Sequence, residues 1–365
     1  MGFTCGIVGL PNVGKSTIFN ALTHAGAEVA NYSFTASDPN FGAVAVPDKR
    51  LETISEIVPA KKTIFTAMEC IEVAGLVKGA SKGGGLGNKF LAHIREVSAI
   101  AHVVRCFENK NSPHVYDKID PVTDIETINT ELMIADLENL EKRKIKIQKS
   151  ARSGDKEAKF QLEWLEKLVE CLNDDRPTRS LKPDTEAAES FLRSLTLLTQ
   201  KPVLYICNIA DPSEAENEHV QKVVEHAGKE SETAVVLSGK LECEIRDIED
   251  PVERMDWSKE MGIEESGLER VIQAGYALLG LITFFTVGGK ENRAWTVRKN
   301  SKAPKAAGVI HSDFEKGFIR AKVYHYDDLV KFKSENAVKD NGLLRMEGKE
   351  YIVQDGDIIE FLFNV

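Results

Sequence analysis

Closely spaced cysteines are missing from this 365-residue chain. Its six stand at positions 5, 70, 106, 171, 207 and 243, never nearer than 36 residues, so no CxxC zinc or redox spacing exists. A small disulfide-stapled fold is excluded, and the thiols read as those of a reducing compartment, hence a cytoplasmic protein. Positive charge is also short: 47 Lys and Arg face 57 Asp and Glu, a net charge of −10. That balance excludes a protein that coats nucleic acid with its whole surface, while leaving room for local basic patches. Pro11, Gly14 and Lys15 interrupt the first apolar stretch, so no secretory leader is expected. One long uncharged run occurs, Val271 to Gly289. Four glycines, Gln273 and two threonines dilute it, and its helical spacing (Val271, Ala274, Leu278) gives way to the β-favouring Ile282 to Val287. A buried helix followed by a strand is expected there, and no membrane contact.

What remains is a chain long enough for two or three domains. The first 120 residues alternate strand-like runs (Thr4 to Val8, Cys70 to Val73, Ala101 to Cys106) with glycine turns and helical stretches, the rhythm of a parallel α/β sheet. Another such run, Pro202 to Cys207, comes only after residues 122–200, which read as a helical insertion. Ile125, Ile128, Leu132 and Ala135 keep helical spacing, as do Met133, Leu137 and Leu140, then Leu162, Leu165, Leu168 and Leu172. Between them, Lys142 to Arg152 carries six cations and no acid. This is an antiparallel helical hairpin with a basic tip, a solvated helix end or an RNA contact. From residue 282 onward the net charge turns to +2, and short β-type runs recur at Ala294 to Val297, Phe318 to Val323 and Ile358 to Phe363. A small mixed α/β or β-grasp module is expected there.

Gly9-Leu10-Pro11-Asn12-Val13-Gly14-Lys15-Ser16-Thr17 matches G-x-x-x-x-G-K-[ST] between a strand and a helix. Such a loop wraps a polyphosphate with inward-pointing backbone N–H groups at the positive end of a helix. Asn12, Val13, Gly14, Lys15, Ser16 and Thr17 are the candidate phosphate contacts. Lys15 would neutralise the β- and γ-phosphates, and Ser16 would offer its hydroxyl to Mg²⁺. Glu72-Val73-Ala74-Gly75 ends an apolar run where a nucleotide switch needs an acid near the metal and a glycine N–H, Gly75, near the γ-phosphate. Asn208-Ile209-Ala210-Asp211 follows the strand ending at Cys207, in the pattern that reads a purine. Ser238-Gly239-Lys240 follows the run Ala234 to Leu237. Asn208, Ile209, Asp211, Ser238 and Gly239 are therefore the candidate base contacts, against readings of Asp211 as a loop cap and Gly239 as a turn.

These residues resemble the YchF-type Obg-like ATPases, in the Obg family of P-loop proteins and the translation-factor class. The resemblance rests on GLPNVGKST at 9–17, VAGLVKGASKGGGLGNKFL at 73–91, HVVRCFEN at 102–109 and GIEESGLERVIQAGYALL at 262–279. RAWTV at 293–297, APKAAGVIHSDFEKGFIRA at 303–321 and YIVQDGDIIEF at 351–361 extend it along the whole chain. It implies an α/β fold: a P-loop NTPase G-domain with a parallel-type sheet over 1–281, interrupted by an α-helical coiled-coil hairpin at 122–200. A C-terminal β-grasp (TGS) domain follows at 282–365. It also implies ATP hydrolysis in preference to GTP, Mg²⁺ with K⁺ as an optional second cation, and ribosome binding, on the large subunit. RNA would lie along a basic groove of Lys142 to Arg152 and the cations around Trp295.

Asp211 suits guanine, whereas Ile209 stands where GTPases usually have Lys, so GTP stays open beside ATP. Leu76 occupies the place of a water-orienting glutamine and cannot hold water, so catalysis must come from elsewhere. Asn12 matches an asparagine that helps hold K⁺ in cation-activated relatives. His114 matches a histidine considered for catalysis; with Asn12 and Lys15 it completes the candidate catalytic set. Three departures bear on turnover: Glu72 where Asp is usual, Ala36 at the switch threonine with Thr35 or Ser37 as substitutes, and Gly83-Gly84-Gly85 in place of Gly-Glu-Gly. Ser16, Thr35 and Glu72 form the candidate metal set. The competing readings are a GTP-preferring enzyme and a nucleotide-gated ribosome- or RNA-binding protein with vestigial hydrolysis.

Overall fold

The computed structural model describes residues 3–24, 41–73, 85–109, 113–116, 118–261, 263 and 266–364. Two six-stranded sheets organise them. The first half supplies β1 (Phe3–Val8), α1 (Lys15–His24), β2 (Phe41–Ala45), α2 (Lys49–Ile57), β3 (Thr63–Ile64), β4 (Ala67–Glu72), α3 (Gly85–Glu96) and β5 (Ala99–Arg105). The helical insertion contributes α4 (Pro121–Arg152), α5 (Lys156–Asn173) and α6 (Glu186–Leu195). The chain then re-enters the first sheet through β6 (Val203–Asn208), α7 (Glu218–Glu230), β7 (Thr233–Leu237), α8 (Gly239–Arg246), α9 (Pro251–Glu260) and α10 (Gly267–Leu278).

The strand order of this sheet is β2-β4-β1-β5-β6-β7, parallel throughout except for the edge pair β2–β4. Parallel sheets are covered on both faces, and every residue of β5 and β6 is buried accordingly. The phosphate loop leaves the carboxyl end of β1, where open α/β sheets bind their ligands.

Helix α4 carries two overlapping apolar stripes, and each serves a different core. Ile125, Ile128, Leu132 and Ala135 join the sheet core, whereas Met133 and Leu140 pack with Trp164, Leu165 and Leu168 of α5. Both carboxylate oxygens of buried Asp136 accept backbone N–H bonds, from Leu198 and Thr199, and so fix the root of the helix. At 1.5 Å per residue, its 32 residues extend about 48 Å. Asp155 caps α5 by accepting from the Glu157 and Ala158 amides, and closes the hairpin. A third helix, α6, which spacing alone did not distinguish, completes this small core through Ala188, Leu192 and Leu195.

The uncharged run resolves into α10 followed by β8 (Leu281–Thr286), as its change of period predicts. Among the described residues no helix is long and apolar enough to cross a membrane. The C-terminal module continues with β9 (Asn292–Arg298), α11 (Ala303–Ile310), α12 (Ser312–Lys316), β10 (Phe318–His325), α13 (Tyr326–Phe332), α14 (Glu335–Asp340), β11 (Arg345–Glu347) and β12 (Asp357–Phe363). Its strand order is β11-β10-β12-β8-β9-β3.

That order draws a segment from before residue 281 into the second sheet. Strand β3 belongs to the second sheet, parallel to β9 through Thr63↔Asn292 and Ile64↔Arg293. Helix α2 packs there too: Leu51 and Ile54 are completely buried in a core shared with Phe285, Ala294, Tyr324 and Leu329. Burying such a side chain contributes about 1.5–3 kcal/mol. The segment from 49 to 64 is therefore part of the C-terminal module, although the strands on either side of it belong to the nucleotide domain.

Candidate nucleotide site

The loop from Gly9 to Ser16 turns tightly against the sheet. Asn12 and Gly14 take positive φ values, 65° and 97°. A Cβ on Gly14 would lie 2.2 Å from Asn208 Nδ2, so no other side chain fits there without displacing Asn208. Asn208 is the knot of the site. Its Nδ2 donates to the Val13 carbonyl at 2.8 Å, and its Oδ1 accepts from the Gly239 amide at 3.0 Å. The phosphate loop and the Ser238–Gly239 turn are thus held by one buried amide. A Cβ on Gly239 would come 2.9 Å from Ile18 in α1, which fixes how closely the turn approaches. Ser238 caps α8 by accepting from the Leu241 amide, and donates to the Ala210 carbonyl.

Lys15 is 8% exposed and donates to the Leu10 carbonyl at 2.8 Å. Burial pulls its ammonium down to about 8, partly offset by Glu72. Ser16 Oγ donates to Glu72 Oε1 at 2.5 Å. A hydroxyl and a carboxylate side by side are two hard oxygen donors, the chemistry that suits magnesium. Among the described residues no cluster of three or more His, Cys, Asp or Glu is positioned to hold a metal by itself. Such a pair fits an ion that arrives with phosphate oxygens of its own. Val13 is buried, and Thr17 is exposed at the start of α1.

On the base side the expected residues separate. Asp211 is exposed; its Oδ1 accepts from the amide and hydroxyl of Ser213, which lower its carboxyl below the usual range. Ile209, expected at the base, is only 4% exposed and sits in the sheet core. Its apolar side chain continues the buried layer begun by β6. Gly75 and Thr35 lie outside the described residues, as do Ala36, Ser37 and Leu76.

His114, the candidate catalytic histidine, is buried. It is 7% exposed, and Nε2 lies 2.9 Å from Asp124 Oδ2 in the first turn of α4. Nδ1 accepts from the Tyr116 amide, so Nε2 carries the proton shared with Asp124. Both ring nitrogens are engaged. Burial raises the Asp124 carboxyl, the His114 bond opposes this, and among the described residues Asp124 Oδ1 has no hydrogen-bond partner. Asn12 Nδ2 donates to the Pro113 carbonyl at 3.3 Å, tying this loop to the phosphate loop. Sequence spacing gave no sign of Asp124, which reads there as an ordinary acid near a helix N-terminus.

Trp295 is partly buried against the C-terminal core. Its Nε1 donates to Thr286 Oγ1, and the Arg293 guanidinium stacks 4.1 Å from its ring centroid. An open cleft of about 910 Å³ lies away from the phosphate loop, between the nucleotide domain and the C-terminal module; Arg50, Tyr276 and Asp355 line it.

Comparison with known proteins agrees with this architecture. The family model described as a 50S ribosome-binding GTPase matches residues 4–147, and the YchF GTPase C-terminal family, described as a protein of unknown function, matches 281–364. The chain is similar to the ribosome-binding ATPase YchF of Haemophilus ducreyi, at 54% identity over 365 residues and all of both chains. Similarity to the protein of the same name from Bacillus subtilis is 52% over 368 residues, again covering both chains fully. Among solved structures, the Schizosaccharomyces pombe YchF GTPase superposes with a TM-score of 0.88 at 36% identity, covering 99% of this chain and 98% of that one. A sheet that presents a phosphate loop, a helical insertion and a C-terminal module matched along their full length place the chain in the YchF family.

Proposed function

We propose that this chain is a cytoplasmic, ribosome-associated ATPase that works as a switch, binding Mg·ATP and hydrolysing it slowly until a partner stimulates it. The observation that carries this reading is the phosphate loop itself, with buried Lys15 behind it and Ser16 and Glu72 side by side at its edge. The relatives' name, ribosome-binding ATPase, supports ATP and the ribosome as ligands. Ser16 and Glu72 would hold the magnesium, with Thr35 as a further expected donor; bound there, the ion would offset phosphate charge. Lys15 exchanges the Leu10 carbonyl for phosphate oxygens. Asn12 spends its amide nitrogen on Pro113 and keeps its side-chain oxygen as the donor for K⁺. Ribosomal RNA, on the large subunit, is met by the exposed cations of Lys142 to Arg152 and by Arg293 stacked on Trp295. The preference for ATP draws on burial of Ile209 where guanine-specific sites usually carry Lys.

Titration with fluorescent ADP and GDP tests base choice. Tighter ADP binding is expected, and tighter GDP binding would transfer the assignment to a GTPase. Single-turnover hydrolysis of labelled ATP with Mg²⁺, in K⁺ and then in Na⁺, with and without ribosomes, tests the enzyme. Phosphate release above the uncatalysed rate is expected, faster in K⁺ and with ribosomes. The second reading, nucleotide-gated binding with vestigial hydrolysis, is favoured by the engagement of both His114 nitrogens. No release under any of these conditions would establish it.

A further inference from the structure

We infer that Asp124 is a positioning residue for His114 and holds its ring away from the nucleotide, so that hydrolysis is restrained by this contact and not vestigial. The inference rests on the proposed ATPase and names what keeps its unstimulated turnover slow. Both side chains are only 3% exposed, and His114 Nε2 lies 2.9 Å from Asp124 Oδ2. Nδ1 accepts from the Tyr116 amide at 3.2 Å. An imidazole whose N–H is given to a carboxylate and whose lone pair is given to an amide has nothing left with which to orient or deprotonate a water.

The histidine nevertheless stands beside the site. Pro113, its neighbour in the chain, accepts from Asn12 Nδ2 at 3.3 Å, and Asn12 belongs to the phosphate loop. Its backbone is therefore tied to that loop while its ring is buried in the protein. Arg105 fixes the other limb of the same connection: its guanidinium donates to the carbonyls of Phe107 at 3.1 Å and Asn109 at 3.4 Å, and stacks 4.7 Å from the Phe107 ring.

Asp124 is equally fixed. It sits in the first turn of α4, behind the Asp120 cap and next to Ile125 and Ile128, which are buried in the sheet core. Among the described residues its side chain has one hydrogen-bond partner, His114, and Oδ1 has none. With both limbs of the connection and the acid itself held, the movable part is the ring. Breaking its bond to Asp124 frees Nε2 next to the phosphate loop without disturbing the residues that bind nucleotide.

The test is single-turnover hydrolysis of labelled ATP by the full-length chain in Mg²⁺ and K⁺, without ribosomes, with the dissociation constant for fluorescent ADP measured beside it. Asp124→Ala should raise the hydrolysis rate at least about tenfold, the order expected when a hydrogen bond to a charged group no longer holds the ring. Asp124→Asn keeps an oxygen of similar placement but a weaker acceptor, and should give a smaller rise. ADP affinity should stay within about twofold in both, which separates turnover from binding. Adding His114→Ala to Asp124→Ala should remove the rise, because the released ring is what accelerates the reaction. Glu126→Ala, which removes an exposed acid from the same helix, should change neither quantity. Slower hydrolysis in Asp124→Ala with affinity intact, an unchanged rate, or a rise that survives loss of His114 would each overturn the inference. Should Asp124→Ala fail to fold, Asp124→Asn decides: a faster rate supports the inference, and an equal or lower one overturns it. No phosphate release from wild type or any variant, with or without ribosomes, would instead remove the ATPase reading, and the inference with it.

Discussion

The two halves of the nucleotide site are built on different principles. The phosphate and base half is closed on itself: Asn208 joins the Val13 carbonyl to the Gly239 amide, and Gly14 and Gly239 are small because their neighbours leave no room. The Ser16–Glu72 half is set by strand pairing, since Glu72 lies opposite Ile7 of β1, the strand that leads into the phosphate loop. Glu72 sits at the end of β4, whose opposite end adjoins a segment buried in another module. One half is thus held by a side chain and the other by a strand ladder.

The most damaging way to probe that contrast is to remove Leu51, completely buried in the C-terminal core. Leu51→Ala should cost about 2–5 kcal/mol of stability by urea denaturation. The loss should fall on the C-terminal transition and leave nucleotide binding intact. Gly14→Ala attacks the other half. Its Cβ meets Asn208 Nδ2 at 2.2 Å in a backbone conformation that disfavours side chains, so ATP affinity should fall on the order of 100-fold with and without Mg²⁺. Asn208→Ala leaves the Val13 carbonyl and Gly239 amide unpaired, which should cost about 1–3 kcal/mol of stability and weaken nucleotide in both conditions.

Much of this was legible from the chain alone, because its signals are local. The phosphate loop, the change from helix to strand after Leu278 and the two stripes of α4 each depend on residues within a few turns of one another. The position of residues 49–64 was not legible. Leu51 and Ile54 advertise a buried face but not which sheet it meets, and β3 is two residues long, too short for any periodicity. His114 and Asp124 meet only because the loop folds back on α4. Ile209 lies inside a recognisable motif, and that its side chain also packs in the sheet core was not readable from the motif.

The smallest expected effect is a proton. Burial holds Lys15 near 8 in the nucleotide-free protein, below its ordinary range, whereas phosphate oxygens favour its charged form. Binding should therefore take up a proton when the free lysine is partly neutral. Calorimetry in two buffers of different ionisation heat should give about half a proton at pH 8, falling towards none by pH 6.5. Uptake that persists in Lys15→Met would assign it to another group.

The central claim is that the loop at residues 9–17 holds a purine triphosphate through Lys15. Isothermal titration of the folded chain with ATP and Mg²⁺, beside Lys15→Ala, addresses it most directly. One-site binding by the wild type, weakened on the order of 100-fold by the substitution, is the predicted result. Equal affinity in the two proteins, or no binding by a wild-type chain whose circular dichroism shows it folded, would contradict it.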